Sequence, residues 1–187
     1  DYVFRKESLS AIRKHLPDVK IIILMRDPVE RSYSYYRHEK RSGRIKEQFD
    51  RLVEYEYENF KKNGIRYHEQ LYDEPSLKDT FLLGSIYVRY LDQLAQYFSK
   101  EQVLLLNSED LFANPKSVYD SVCEFLEIVP HEDTSFEIFN AGNYEADDIP
   151  SRDFLKHFYE PYNRQLREKY DFCLLYTSDA ADELLGV

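Results

Sequence analysis

The segment Lys20 to Gly43, KIIILMRDPVERSYSYYRHEKRSG, constrains this chain more than any other. An apolar run, Ile21 to Met25, passes without a spacer into an arginine, an Asp-Pro pair and a basic, hydroxyl-bearing stretch. The run is short, continuous and β-branched at its start, the pattern of a strand buried on both faces in a parallel sheet. Arg26 then stands at the strand's carboxyl end. Asp27 is a good helix N-cap and Pro28 suits the first helical position, so the spacing predicts a helix from here to about Gly43. On that helix Arg31, Ser34 and His38 fall at i, i+3 and i+7 and share one face.

Ligands of open α/β sheets bind at such strand-to-helix junctions, and a helix N-terminus favours negative charge through its free amides and dipole. Arg26 adds a planar fork matched to phosphate oxygens, and Ser34 a hydroxyl donor further along the helix. A second reading stays open on spacing alone: Arg26 pairs with a carboxylate, Arg31 is solvated and Ser34 is an ordinary helix residue.

The rest of the chain reads as α, β, α, α, α, β, α, α. Ser10 to Leu16 lies in a first helix closed by Pro17. Phe49, Leu52, Val53, Glu56 and Phe60 follow helical spacing and predict a helix from about Lys46 to Lys62, ended by Asn63-Gly64. Ile65 to Lys78 has no clean period and reads as a long loop carrying Arg66, Tyr67, His68 and Tyr72. Together with Tyr55 and Tyr57 these groups could face a sugar, or be tyrosines with half-buried rings and a surface imidazole. Ile86, Tyr90, Leu91, Leu94, Ala95 and Phe98 form the stripe of the next helix, and Val103 to Leu106 is the second strand. Asn114-Pro115 repeats the cap-and-first-turn pattern. A last helix from near Ser151 meets Pro161, which should kink or split it.

The string Arg26-Asp27-Pro28-x-x-Arg31-x-x-Ser34-x-Tyr36-x-His38 resembles the 3'-phosphate-binding motif of sulfotransferases that use 3'-phosphoadenosine 5'-phosphosulfate, in their carbohydrate (heparan-type) and related bacterial branch. Downstream, Gly84-Ser-Ile-Tyr87-x-x-x-Leu91, Gln102 to Leu111, and Asn114-Pro115 with Phe125-Leu126-Glu127-Ile128 are similar to successive segments of the same family. The resemblance covers roughly residues 1–172. It implies a P-loop-NTPase-like three-layer fold, a central parallel sheet flanked by helices. It also implies that Arg26 and Ser34 hold the 3'-phosphate of the donor and that His38 lines the catalytic cleft. The implied partners are that small-molecule donor and a hydroxyl or amine acceptor, such as a saccharide. Asn140 to Tyr144 departs from the family's donor-binding loop, having no lysine there.

Asp1-Tyr-Val-Phe resembles the family's segment just past its usual catalytic glutamate. The expectation is therefore a fragment that lacks the first strand, the P-loop and the base, and is inactive alone. Cys173 to Glu183 matches one reading frame of a transposon-type sequencing-library adaptor. Residues 173–187 are accordingly expected to be a non-native tail on a chain of metagenomic origin.

The formal net charge of −10 argues against general nucleic-acid binding, while seven Lys and Arg between Arg26 and Lys46 make a local patch suited to a small anion. With Cys173 in the expected tail, Cys123 is left alone, so no disulfide framework is expected; on a face with Val118, Val122, Phe125 and Leu126, it reads as a small buried hydrophobe. There is no His-Glu-x-x-His, no spaced Cys or His cluster and no Gly-x-Ser-x-Gly, so no metal cofactor is expected. No signal peptide or membrane span is in view. The family's compartment would be the cytoplasm in a bacterium and the Golgi lumen in a eukaryote. Two further readings remain: a non-catalytic nucleotide- or glycan-binding module, and a P-loop kinase with a coincidental arginine motif.

Overall fold

The computed structural model describes residues 5–64, 80–132, 135–136 and 149–174. Helix α1 (Lys6–His15) buries Leu9 and gathers Arg13, Lys14 and His15 in its last turn, where cations suit the helix dipole. It takes in the expected helical stretch from Ser10 and ends at His15, one residue before Leu16. Past Pro17 the chain enters β1 (Ile21–Met25). The Gln102 side-chain amide donates to the carbonyls of Pro17 (2.8 Å) and Val19 (3.1 Å), bringing the start of β2 (Val103–Asn107) beside the start of β1. The two strands are parallel, in register from Ile21 opposite Val103 to Met25 opposite Asn107. Lys20 donates to the carbonyl of Phe125 at 2.6 Å and pairs with Glu127 at 2.7 Å, which fastens the strand entry to the end of a helix introduced below.

Helix α2 (Pro28–Arg41) starts where the sequence places it: Oδ1 of Asp27 accepts the Glu30 amide at 2.9 Å, with Pro28 in the first turn. Gly43, at φ +72°, turns the chain beyond its end. Arg44 then grips the buried Glu39 by two bonds of 2.5 and 2.7 Å, and its guanidinium holds that carboxyl below the usual range. This corner, with Ile45 buried in it, takes up the residues expected to begin the next helix. Helix α3 therefore spans Phe49–Asn63 rather than starting near Lys46.

After a 3-10 turn (Leu83–Ser85) comes α4 (Tyr87–Leu94), whose Tyr90, Leu91 and Leu94 are buried, although Ala95 just beyond it is exposed. A short helix, α5 (Ser108–Ala113), was not foreseen; the Asn107 side chain caps it from the end of β2 by accepting the Glu109 amide. Helix α6 (Pro115–Leu126) buries Cys123 and lacks a side-chain cap from Asn114.

Helix α7 (Arg152–Tyr170) runs unbroken through Pro161, contrary to the expected kink or split. Pro161 lies on the exposed face, so the carbonyl it leaves without an amide can turn to water, while Leu155, Tyr159 and Leu166 are held in the core on the other side. Helices α2 and α4 pack on α7. Tyr57 is spent in this packing, edge-on to Phe154 (5.0 Å) and Phe158 (5.9 Å), whereas Tyr55 is exposed. Each fully buried Leu or Phe in this core contributes about 1.5–3 kcal/mol.

One expectation for the sheet is corrected. Ile22 and Leu24 are 40% and 51% exposed, so β1 is not covered on both faces by the described elements. The helices named above bury the Met25 side only. Leu174, within the expected tail, is buried in the core cluster, next to an exposed Cys173. The expected loop Ile65 to Lys78, the segment Asn140 to Tyr144 and residues 175–187 lie outside the described residues.

Candidate functional site

The carboxyl ends of β1 and β2, the first turns of α2 and the start of α4 converge on one place. Arg26 leaves β1 half-exposed. Its Nη2 is 3.5 Å from Glu30 and its Nε 3.8 Å from Glu109, both longer than a direct charge-assisted hydrogen bond. Its backbone amide donates to the Tyr87 hydroxyl at 3.5 Å, and the Asp27 amide to Glu109 at the same distance. Arg26 thus has carboxylate neighbours, as the second sequence reading held, but they hold it loosely.

Glu30 and Ser34 form one i, i+4 row on α2, with Arg26 just ahead of its cap, and Ser34 rises about 9 Å along the axis from Pro28. Ser34 is half-buried, and its hydroxyl makes no hydrogen bond among the described residues. His38, one turn on, is 63% exposed and 3.9 Å from Glu39, with no substrate-facing partner among the described residues. Arg31 shares the helix face with these two by position, yet its side chain turns aside: Nη1 donates to the Ser85 hydroxyl at 3.1 Å. It is not the solvated arginine of the second reading.

The 3-10 turn that carries Ser85 is fastened from several helices. The fully buried Glu56 accepts the Leu82 and Leu83 amides, each at 2.7 Å. Tyr159 donates to the Leu82 carbonyl (2.7 Å), Tyr90 to that of Leu83 (3.0 Å) and Ser32 to that of Phe81. Glu30 accepts from Arg152 at 2.9 Å, which ties the first turn of α2 to the start of α7.

Two ionisations are displaced. Burial pushes the Asp27 carboxyl up to about 6 against the pull of the Glu30 amide, and its Oδ2 is buried without a hydrogen-bond partner. Burial pushes the Tyr87 phenol up to about 12, so it is a hydroxyl donor at any ordinary pH. Sequence reasoning named Arg26, Ser34 and His38. It missed Glu30, whose i+4 spacing from Arg26 was a readable signal, and Arg152, which nothing local could have disclosed. Among the described residues no group of His, Cys, Asp and Glu could hold a metal ion, and no helix is long and apolar enough to cross a membrane.

Three comparisons bear on this geometry. The family model of the sulfotransferase domain matches residues 6–146. The chain is 23% identical over 189 residues to the bifunctional heparan sulfate N-deacetylase/N-sulfotransferase 4 of Mus musculus, covering 89% of this chain and 21% of that protein. It is 28% identical over 170 residues to the carbohydrate sulfotransferase 15 of the same species, covering 83% and 30%. The chain thus spans less than a third of the length of either relative. The crystal structure of a sulfotransferase from Alicyclobacillus acidocaldarius superposes with a TM-score of 0.67 at 21% identity, covering 92% of this chain and 63% of that one. This likeness shows the P-loop-like α/β fold, of which the described residues supply two parallel strands and their helices. With the match covering most of its length, the chain belongs to the sulfotransferase domain family.

Proposed function

We propose that this chain is part of an enzyme that transfers a sulfuryl group from 3'-phosphoadenosine 5'-phosphosulfate to a hydroxyl or amine, on a saccharide acceptor. The observation that carries the reading is the pair Arg26 and Ser34. A loosely held guanidinium stands at the end of β1, with a half-buried, unengaged hydroxyl farther along α2, one turn past Glu30. The donor's 3'-phosphate fits there because Arg26 can exchange two ion contacts of 3.5 and 3.8 Å for shorter bonds to phosphate. The free amides and dipole at the start of α2 add to the attraction. The saccharide is suggested by the relatives, which are named for heparan sulfate and carbohydrate.

In the reaction the acceptor oxygen or nitrogen bonds to sulfur as the bond from sulfur to the bridging phosphate oxygen breaks. The acceptor's proton passes to a base, and adenosine 3',5'-bisphosphate leaves. As in phosphoryl transfer, positioning and charge stabilisation carry most of such catalysis. In this chain Arg26 and Ser34 position the donor, and the exposed His38 stands further along α2, open to an acceptor.

The test is binding of adenosine 3',5'-bisphosphate to the parent protein, before and after Arg26→Ala combined with Ser34→Ala. Loss of two hydrogen bonds to a charged group should weaken binding by about a hundredfold or more. Unchanged affinity overturns the assignment.

A further inference from the structure

We propose that Arg31, seated against Gly84 and joined by the Tyr87 hydroxyl, forms a second oxyanion site that takes a tetrahedral sulfate or phosphate group. From the preceding reading it takes only that the substrates carry such groups; Arg26 and Ser34 have no part in it.

A guanidinium offers five N–H donors. Arg31 gives one to Ser85 and lays its plane 5.9 Å from the Tyr35 ring, but makes no ion pair among the described residues. A half-buried cation without a counter-charge is costly unless an anion arrives. Room for one exists. Arg31 lines a cavity of about 160 Å³ at the carboxyl end of β1, with Ile23, Met25, Gly84, Tyr87 and Leu91. That volume is well below the roughly 300–1,000 Å³ of pockets for whole drug-sized ligands, so it suits one group with its waters rather than a nucleoside.

The second donor is Tyr87. Its oxygen accepts from the Arg26 amide, and its proton has no acceptor among the described residues. Asp27 and Glu109 act on Tyr87 electrostatically, yet neither pairs with Arg31. The apolar walls from β1 and Leu91 lower the local dielectric and strengthen both donors. Gly84 completes the seat, because the guanidinium occupies the space a β-carbon there would need.

The anion can come from the nucleotide donor or from a sulfated acceptor, which share this chemistry. The experiment is an NMR titration of the whole chain, ¹⁵N-labelled, with sodium sulfate at ionic strength held constant by chloride. The Arg31 Nε–H signal should shift saturably. Arg31→Met should abolish the sulfate response of the neighbouring Gly84 and Ser85 amides, and Tyr87→Phe should weaken it about tenfold. Tyr87→Phe loses only a hydroxyl, so it keeps the test intact should Arg31→Met not fold. With sulfate in place, displacement by adenosine 3',5'-bisphosphate marks the donor as the source; displacement by glucosamine 6-sulfate marks the acceptor. A shift that does not saturate, or one that Tyr87→Phe leaves unchanged, overturns the site. The sulfate response should persist in Arg26→Met, so this site and the proposed 3'-phosphate clamp fail or stand separately.

Discussion

The guanidinium of Arg31 fills the space that a side chain on Gly84 would need. A β-carbon there would stand 3.1 Å from Nη1, 3.7 Å from Nη2 and 3.8 Å from Cζ. The crowded atoms are the far end of a flexible side chain, so Arg31 can give way. Gly84 does not have a positive φ, so alanine brings no backbone strain and trims the entropy of the unfolded chain. Gly84→Ala should therefore change folding stability by less than about 1 kcal/mol, measured by urea denaturation, while displacing Arg31 from Ser85. A loss of several kcal/mol would mean that Arg31 is fixed from its other side.

Glu56 carries a heavier load. Two amides that it accepts, those of Leu82 and Leu83, are buried and have no water to turn to. Glu56→Ala should cost about 3–5 kcal/mol, and Glu56→Gln, which keeps one acceptor, about 1–3 kcal/mol. Equilibrium denaturation followed by circular dichroism separates the two, and equal losses would show that the second acceptor oxygen carries the whole effect, since Gln keeps the side-chain volume that Ala removes.

Asp27 makes stability depend on pH. Its folded pKa of about 6 lies above the usual value of 3.8, so the folded state favours the protonated carboxyl. That contribution is complete below pH 3.8 and is lost as pH rises through about 6. A displacement of this size corresponds to roughly 3 kcal/mol between the two ends of the window. Asp27→Asn keeps an acceptor for the Glu30 amide and removes the titration. The variant should thus gain on the parent chain steadily from pH 4 to pH 7, and parallel stability curves would contradict the buried ionisation.

Pro161 sits at an exposed position inside α7. Replacing it with alanine restores one helical hydrogen bond and relieves the clash of the ring with the preceding turn. It also frees the unfolded chain, which offsets part of the gain. The expected net is a stabilisation of about 1–2 kcal/mol, read as a rise in the melting temperature.

The first turn of α2 was legible because Asp27 and Pro28 act locally: cap, dihedral and hydrogen bond are all settled within four residues. The parallel pairing of β1 and β2 could be anticipated only in kind. Its register depends on Gln102 reaching Pro17 and Val19, a contact across more than eighty positions. Pro161 misled because a proline's cost depends on which face of the helix meets water, and that is a tertiary fact. Ile22 and Leu24 misled for a related reason: an apolar run does not say which of its faces finds a partner. At the candidate site, spacing offered Arg26 and Ser34 as candidates and the family resemblance gave them their expected role. That Arg31 turns inward could not, since it is the missing side chain of Gly84, far along the chain, that admits it.

Glu30 stands between two arginines that differ in how they are held, Arg152 at 2.9 Å and Arg26 at 3.5 Å. An anion that draws Arg26 away therefore does not leave the carboxylate stranded, because the shorter contact remains. The same carboxylate repels an approaching anion, and Arg152, at the start of α7, offsets part of that repulsion. At the 3'-phosphate site proposed for Arg26, ligand affinity and the seating of the last helix would thus be thermodynamically linked through one side chain. Whatever loosens the start of α7 would then be felt as weaker anion binding at that proposed site, and an occupied site would in turn slow the fraying of that helix.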